Sequence, residues 1–90
     1  MSFRISYTEE ARQALLSMPG NYRQRARRLL EDLAANPLPP GAKELRDLSG
    51  RFRMRLDGWR VIYKVDQETS SILILAIRRK VGPETYQDLE

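Results

Sequence analysis

Gly50-Arg51-Phe52-Arg53-Met54-Arg55-Leu56-Asp57-Gly58-Trp59-Arg60-Val61-Ile62-Tyr63-Lys64-Val65 is the stretch that decides the fold. Two alternating runs flank Asp57-Gly58, and Asp-Gly in that setting is a strong hairpin signal. The spacing predicts a two-residue type I′ turn with φ > 0 at both residues. A loop this short also fixes the register. Leu56 then faces Trp59, Arg55 faces Arg60, Met54 faces Val61 and Arg53 faces Ile62. Side chains alternate across a strand, so Phe52, Met54, Leu56, Trp59, Val61, Tyr63 and Val65 share one apolar face. Arg51, Arg53, Arg55, Arg60 and Lys64 share the other. Like charges directly across a sheet destabilise it. Arg55 against Arg60 therefore points to a gain outside folding, and a polyanion is the simplest source of one. A solvated sheet face is the competing reading.

Outward from the hairpin, Ser2 to Tyr7 alternates as a first strand. Thr8 can N-cap a helix, with Glu9 and Glu10 placed well for its dipole. Ala11, Ala14, Leu15 and Met18 recur at helical spacing until Pro19-Gly20. Asn21 with Gln24 reads as a capping box for a second helix. Its apolar stripe is Tyr22, Ala26, Leu29, Leu30 and Leu33, and Asn36-Pro37 ends it. Arg23, Arg25, Arg27 and Arg28 flank that stripe and read as its wet side. The two helices should pair antiparallel. Ile72 to Ile77 is a continuous apolar run, expected to be a strand buried on both faces, and Arg78-Arg79-Lys80 ends it. Pro83 and Glu84 can start a short terminal helix carrying Tyr86. The expected fold is α+β: one domain over residues 1–90, a small antiparallel-dominated sheet in the order β-α-α-β-β-β. A helical hairpin covers one face, and a short C-terminal helix or tail follows.

The composition narrows the chemistry. The chain has 90 residues, a net charge of +4, no Cys and no His. A disulfide framework is excluded, as are thiolate metal sites, and the commonest metal ligand and general base are missing. Residues 43–64 hold seven basic groups and three acidic ones, a local excess equal to that of the whole chain. Most of the basic groups are Arg, whose planar fork suits phosphate. No apolar signal core opens the chain, and the 72–77 run is too short to cross a bilayer, so a soluble cytoplasmic protein is expected.

A short turn after Asp66 should make the last two strands antiparallel neighbours. Pairing Val65 near Ser71 puts Ile77 near Trp59, so that Arg78, Arg79 and Lys80 emerge beside Arg55 and Arg60. Tyr86 follows within reach. Arg forks can neutralise charge building on a phosphorane, and loss of one such donor typically costs about 10²–10³ in rate. Lys80 or Tyr86 can move a proton if neighbouring positive charge lowers its pKa. RNA brings its own nucleophile, the 2′-hydroxyl, so this scheme calls for no metal and no cofactor. Trp59 and Phe52 can stack on bases, but they share the apolar face, which favours packing. Tyr86 is equally readable as a packing anchor.

The succession Lys43-Glu44-Leu45-Arg46, Phe52-Arg53-Met54-Arg55-Leu56, Gly58-Trp59-Arg60-Val61-Ile62-Tyr63, an apolar strand, a basic cluster and a Tyr resembles the RelE/ParE toxin superfamily of bacterial type II toxin–antitoxin modules. The likeness spans nearly the whole chain. It is closer to the RelE-like branch, because Arg53 and Arg55 fill both basic positions of their strand. The resemblance implies a ribosome-dependent, metal-independent endoribonuclease, an mRNA interferase that cuts A-site mRNA and arrests growth by inhibiting translation. It also implies a cognate, acidic antitoxin. By the same resemblance Arg60 matches the transition-state arginine, and Arg53 and Arg55 match two basic residues lining the active site. Lys80 stands where a proton-donating arginine is usual, and Tyr86 matches a terminal tyrosine that stacks on the substrate base. Arg46 matches an arginine of the preceding segment. Lys43, Arg51, Lys64, Arg78 and Arg79 complete the expected RNA-binding set. Two departures stand out: Arg at 53 and 55 is a very poor base, and Lys80 replaces Arg. A ParE-like inhibitor of DNA gyrase and a non-catalytic RNA-binding module are the alternatives.

Overall fold

The computed structural model describes residues 2–79, so Lys80, Tyr86 and the expected terminal helix lie outside the described residues. Within them the elements run β1 Arg4–Tyr7, α1 Glu9–Ser17, α2 Gly20–Ala35, β2 Lys43–Glu44, β3 Arg51–Leu56, β4 Trp59–Asp66 and β5 Ser71–Arg79. One five-stranded sheet has the order β1-β5-β4-β3-β2. β1 is parallel to β5 and the other pairings are antiparallel. The α+β expectation holds, with one strand more than expected: Lys43 and Glu44 pair with Arg53 and Phe52.

Both helices pack on one face of the sheet. Ala11, Leu15 and Met18, with Ala26, Leu30 and Leu33, bury against Leu56, Val61, Tyr63, Ile72, Ile74 and Ile77. Phe52, Met54, Trp59 and Val65 pack on this cluster, so the hairpin's apolar face is the core face. Phe52 stacks on Tyr63, with ring centroids 5.9 Å apart, in a geometry aromatic pairs favour. The Tyr63 hydroxyl donates to the Pro37 carbonyl at 2.8 Å and ties the 36–41 connection to the core. Burial pushes the Tyr63 phenol up to about 12.

Thr8 caps α1 as expected, accepting from Ala11 N at 3.1 Å. The start of α2 differs. The helix begins at Gly20 with Pro19 as N-cap and no side-chain cap, so Asn21 is already inside it. The Pro19 carbonyl takes the first helical bond, from Arg23 N at 2.9 Å, and leaves no capping role for Asn21.

The β3–β4 register is the expected one at every position from Leu56↔Trp59 to Arg53↔Ile62. The turn type is not. Asp57 has φ +52°, but Gly58 is not among the positive-φ glycines, which is the sign pattern of a type II′ turn. The β4–β5 register also departs from expectation. Val65 pairs with Ile72 and Trp59 with Arg79, so Arg78 and Arg79 belong to the strand rather than emerging past its end. The ladder shifts between Ile62↔Ala76 and Tyr63↔Ile74, leaving Leu75 as an extra residue on β5. Such a bulge resets the alternation of the strand beyond it. Ile72 and Ile74 face the helices, and so does Ile77 three positions on, while Ala76 faces away.

Candidate nucleic-acid interface

The face away from the helices carries three cross-strand rows. Nearest the Asp57-Gly58 turn, Arg60 pairs with Arg55 on one side and Arg78 on the other. Lys43, Arg53, Ile62 and Ala76 form the next row, and Arg51, Lys64 and Leu73 the one beyond. Directly paired residues point to the same face. Arg55, Arg60, Arg53, Lys43, Arg51, Lys64 and Arg78 are thus brought together. Arg78 joins them only because of the bulge. Regular alternation from Ile74 would turn it toward the helices.

Arg79 does not join. It pairs with Trp59, which packs in the helix-side core, so it lies within the strand on the other face instead of emerging beside Arg55 and Arg60 as expected. Arg46 lies on the loop that crosses the cationic face. Its neighbours Leu45 and Leu48 bury against Ile62, Ala76 and Leu75 in a second, smaller core. This cover was not expected, and it makes part of the polar face dry.

Arg60 is the largest correction. Alternation makes it polar-side, but it is only 3% exposed. Its Nη1 donates to the Asp57 carbonyl at 3.3 Å and the Trp59 carbonyl at 3.1 Å, so the guanidinium braces the turn. A buried arginine is tolerated when its donors are satisfied in this way. Arg55, directly opposite, is exposed.

The carboxylates nearby are engaged. Asp57 forms an ion pair with Arg25 of α2, and this pairing raises the Arg25 pKa. Arg25 also sits 5.7 Å from the Tyr22 ring centroid, so it is more than a solvated helix residue. Arg23, also expected to be wet, is half-buried and donates to the Met18 carbonyl at 3.1 Å. Glu44 accepts from Gly50 N at 3.1 Å, at a glycine whose φ of +81° suits it to that bend. Glu10 reaches from the first turn of α1 to Arg78, with Oε2 3.0 Å from Nε and Oε1 3.4 Å from Nη2. The sequence reading gave Glu10 only a helix-dipole role, and nothing in the local pattern marks it as a neighbour of Arg78.

Glu10, Leu45, Leu48, Arg51, Ile62, Leu75, Ala76 and Arg78 line a shallow depression of about 310 Å³. Its floor is apolar, and Arg51, Arg78 and the Arg78-paired Glu10 make up its charged rim. The rows can bind phosphate and stabilise negative charge. Lys80 and Tyr86, the expected proton carriers, lie outside the described residues. Among the described residues no helix is long and apolar enough to cross a membrane.

Known proteins share this architecture. Toxin RelG of Mycobacterium tuberculosis (strain ATCC 25618 / H37Rv) is 28% identical over 78 residues, covering 86% of this chain and 90% of that protein. The archaeal RelE–RelB complex from Pyrococcus horikoshii OT3 contains a chain that superposes with a TM-score of 0.80 at 26% identity, covering 90% of this chain and 98% of that one. The isolated E. coli RelE toxin shares the fold at a TM-score of 0.81 and 17% identity, over 98% of this chain and 95% of that one. The family model of the ParE toxin of the type II toxin–antitoxin system parDE matches residues 5–81, and the chain belongs to this family, within the RelE/ParE superfamily of type II toxins.

Proposed function

We propose that this toxin is a ribosome-dependent endoribonuclease that cuts mRNA in the A site and so halts translation in the cytoplasm. The observation that carries the reading is the row Arg55–Arg60–Arg78, with three like charges side by side across three strands. Such a row costs folding stability and matches the charge of a phosphodiester. In the reaction, the 2′-hydroxyl oxygen attacks the adjacent phosphorus, the bond to the 5′-oxygen breaks, and a 2′,3′-cyclic phosphate remains. A proton leaves the 2′-hydroxyl and another joins the departing 5′-oxygen. Arg55, Arg78 and the fixed Arg60 stabilise the phosphorane charge, while Arg53 and Lys43 hold the flanking backbone. Lys80 is the proposed proton carrier, and Tyr86 stacks on the base.

The partner in this reading is an acidic antitoxin that adds an amphipathic helix or a strand. β1 is an edge strand among the described residues. Beside it Phe3, Ile5, Tyr7, Leu15, Leu16 and Leu30 line an apolar groove of about 510 Å³, rimmed by Arg12, Arg27 and Glu31. Tyr7 and Leu16 are 39% and 49% exposed there, which favours an apolar occupant.

The test is single-turnover cleavage of A-site mRNA on programmed ribosomes, comparing the wild-type chain with Arg55→Ala. Cleavage that falls with the variant supports the reading, and intact mRNA with the wild type removes it. A second reading has its own observation, since the matching family model is that of ParE toxins. It makes this chain a gyrase inhibitor, and induction would then give DNA breaks and an SOS response with mRNA intact.

A further inference from the structure

The Glu10–Arg78 pair lies at the edge of the cationic face, and its geometry is that of an arginine fork on an oxyanion. We propose that Glu10 is a built-in competitor for phosphate, holding Arg78 in the resting protein and yielding it when a phosphodiester arrives. This rests on reading the face as a phosphate-binding surface.

Three features support it. First, the two oxygens of Glu10 meet Nε and Nη2 of Arg78 at 3.0 and 3.4 Å, the edge by which guanidinium also grips phosphate. Second, Glu10 is presented from a fixed point. The Thr8 hydroxyl donates to the Leu75 carbonyl at 2.7 Å, at the bulge residue that turns Arg78 onto this face. The same hydroxyl oxygen accepts from Ala11 N and caps α1, so one residue locks both the helix start and the bulge. Third, the pair is open to solvent. The Arg78 and Glu10 side chains are 41% and 54% exposed, and exposed pairs contribute little stability, so a phosphate gripped also by Arg55 can displace the carboxylate.

In the resting protein the Arg78 charge is thereby compensated by Glu10. Stray polyanions meet a weaker surface, while a substrate positioned by further contacts still opens the pair. Glu9, one residue earlier, is an internal control. It is engaged by Arg12 and Gln13 on its own helix rather than by the cationic face.

The experiment measures binding of a fluorescein-labelled single-stranded RNA of ~12 nucleotides to the full chain across a salt series. Glu10→Gln should tighten binding about two- to fivefold and steepen the salt dependence by up to about 0.7 in log–log slope, equivalent to one phosphate contact. Glu9→Gln removes the same formal charge and should leave the slope unchanged. On an Arg78→Ala background the Glu10→Gln gain should vanish. An unchanged or weaker affinity for Glu10→Gln, or an equal gain from Glu9→Gln, overturns the proposal while leaving the face as an RNA-binding surface. A wild-type chain that shows no salt-dependent RNA binding removes that surface reading itself, and the competitor with it.

Discussion

Arg60 and Arg78 stand directly opposite one another on β4 and β5, and they do so because Leu75 is an extra residue in the strand. With Arg55 on the other side of Arg60, the charge row is a product of two ladders. One is set by a two-residue turn and the other by a bulge.

Arg55 is the exposed member of the row, so its removal should separate binding from folding. Arg55→Ala should shift stability by no more than about 0.5 kcal/mol, as is usual for surface changes. The salt dependence of RNA binding should become shallower by about 0.7 in log–log slope. Paired denaturation and binding series check this. A variant that keeps the wild-type slope would return Arg55 to the status of a solvated side chain.

Arg60 should behave differently, because its guanidinium holds the Asp57 and Trp59 carbonyls from a buried position. Arg60→Ala leaves those acceptors without their donor and should cost about 1–3 kcal/mol of stability. Cleavage should fall by about 10²–10³ if the same group stabilises the phosphorane. Urea denaturation and single-turnover cleavage, made at a temperature where the variant is folded, separate the two effects. Loss of stability with normal cleavage would leave Arg60 a brace for the turn and nothing more.

The parts that were legible in the sequence are those where pattern and chemistry agree. Alternation from Phe52 to Val65 around Asp57-Gly58 leaves one register, and it is the one found. The apolar run Ile72 to Ile77 has no alternation to read, so an inserted residue leaves no trace in it. This concealed the bulge, the true partner of Trp59 and the face that Arg79 takes. Alternation also reports which face a side chain takes, not how deep it lies, and Arg60 is polar-side yet buried. Leu45 and Leu48 are a lone apolar pair in a short charged stretch, too little pattern to mark them as a lid on Ile62 and Ala76. The turn type failed because two-residue loops of types I′ and II′ make the same reversal.

The Thr8 hydroxyl joins the α1 cap to the bulge, so its loss should be felt at both ends. Thr8→Val keeps the volume and removes the hydroxyl. Stability should fall by about 1 kcal/mol, and RNA affinity should fall as Arg78 loses its fixed orientation. Thr8→Ser, which keeps the hydroxyl, should restore most of both. Equal stability for the Val and Ser variants would show that the hydroxyl does not lock the bulge.

Tyr63 supplies a pH test of the core. Its folded pKa, about 12, lies above the ordinary tyrosine value of 10.0, because burial disfavours the phenolate. A raised folded pKa means the unfolded chain loses its proton first. The stabilisation from Tyr63 is therefore complete below about pH 10 and is lost as pH rises through the window up to about pH 12. Tyr63→Phe should be less stable at neutral pH by about 1 kcal/mol, having left the Pro37 carbonyl without its donor. It should also show a smaller decline above pH 10. Denaturation curves of both chains at neutral pH and across the alkaline window check this. Parallel declines would mean that some other group governs the alkaline limb.

The groove beside β1 tests the partner. Leu16 is half exposed on its wall, and Arg12, Arg27 and Glu31 rim it. An acidic partner that lays an apolar helix face there should lose affinity when Leu16 becomes charged. Leu16→Asp should cost about 1–3 kcal/mol of binding, as a truncated interface anchor does, while folding stays intact because the side chain already meets solvent. Electrostatic complementarity should appear in the association rate, which should fall as salt rises. The measurement is association of the chain with the protein encoded in the adjacent reading frame, followed by surface-immobilised kinetics at several salt concentrations. Arg55→Ala should leave that affinity unchanged, since Arg55 projects from the opposite face of the sheet. If Arg55→Ala weakened the complex and Leu16→Asp did not, the partner would sit on the cationic face instead, and inhibition would be direct occlusion of the arginine row.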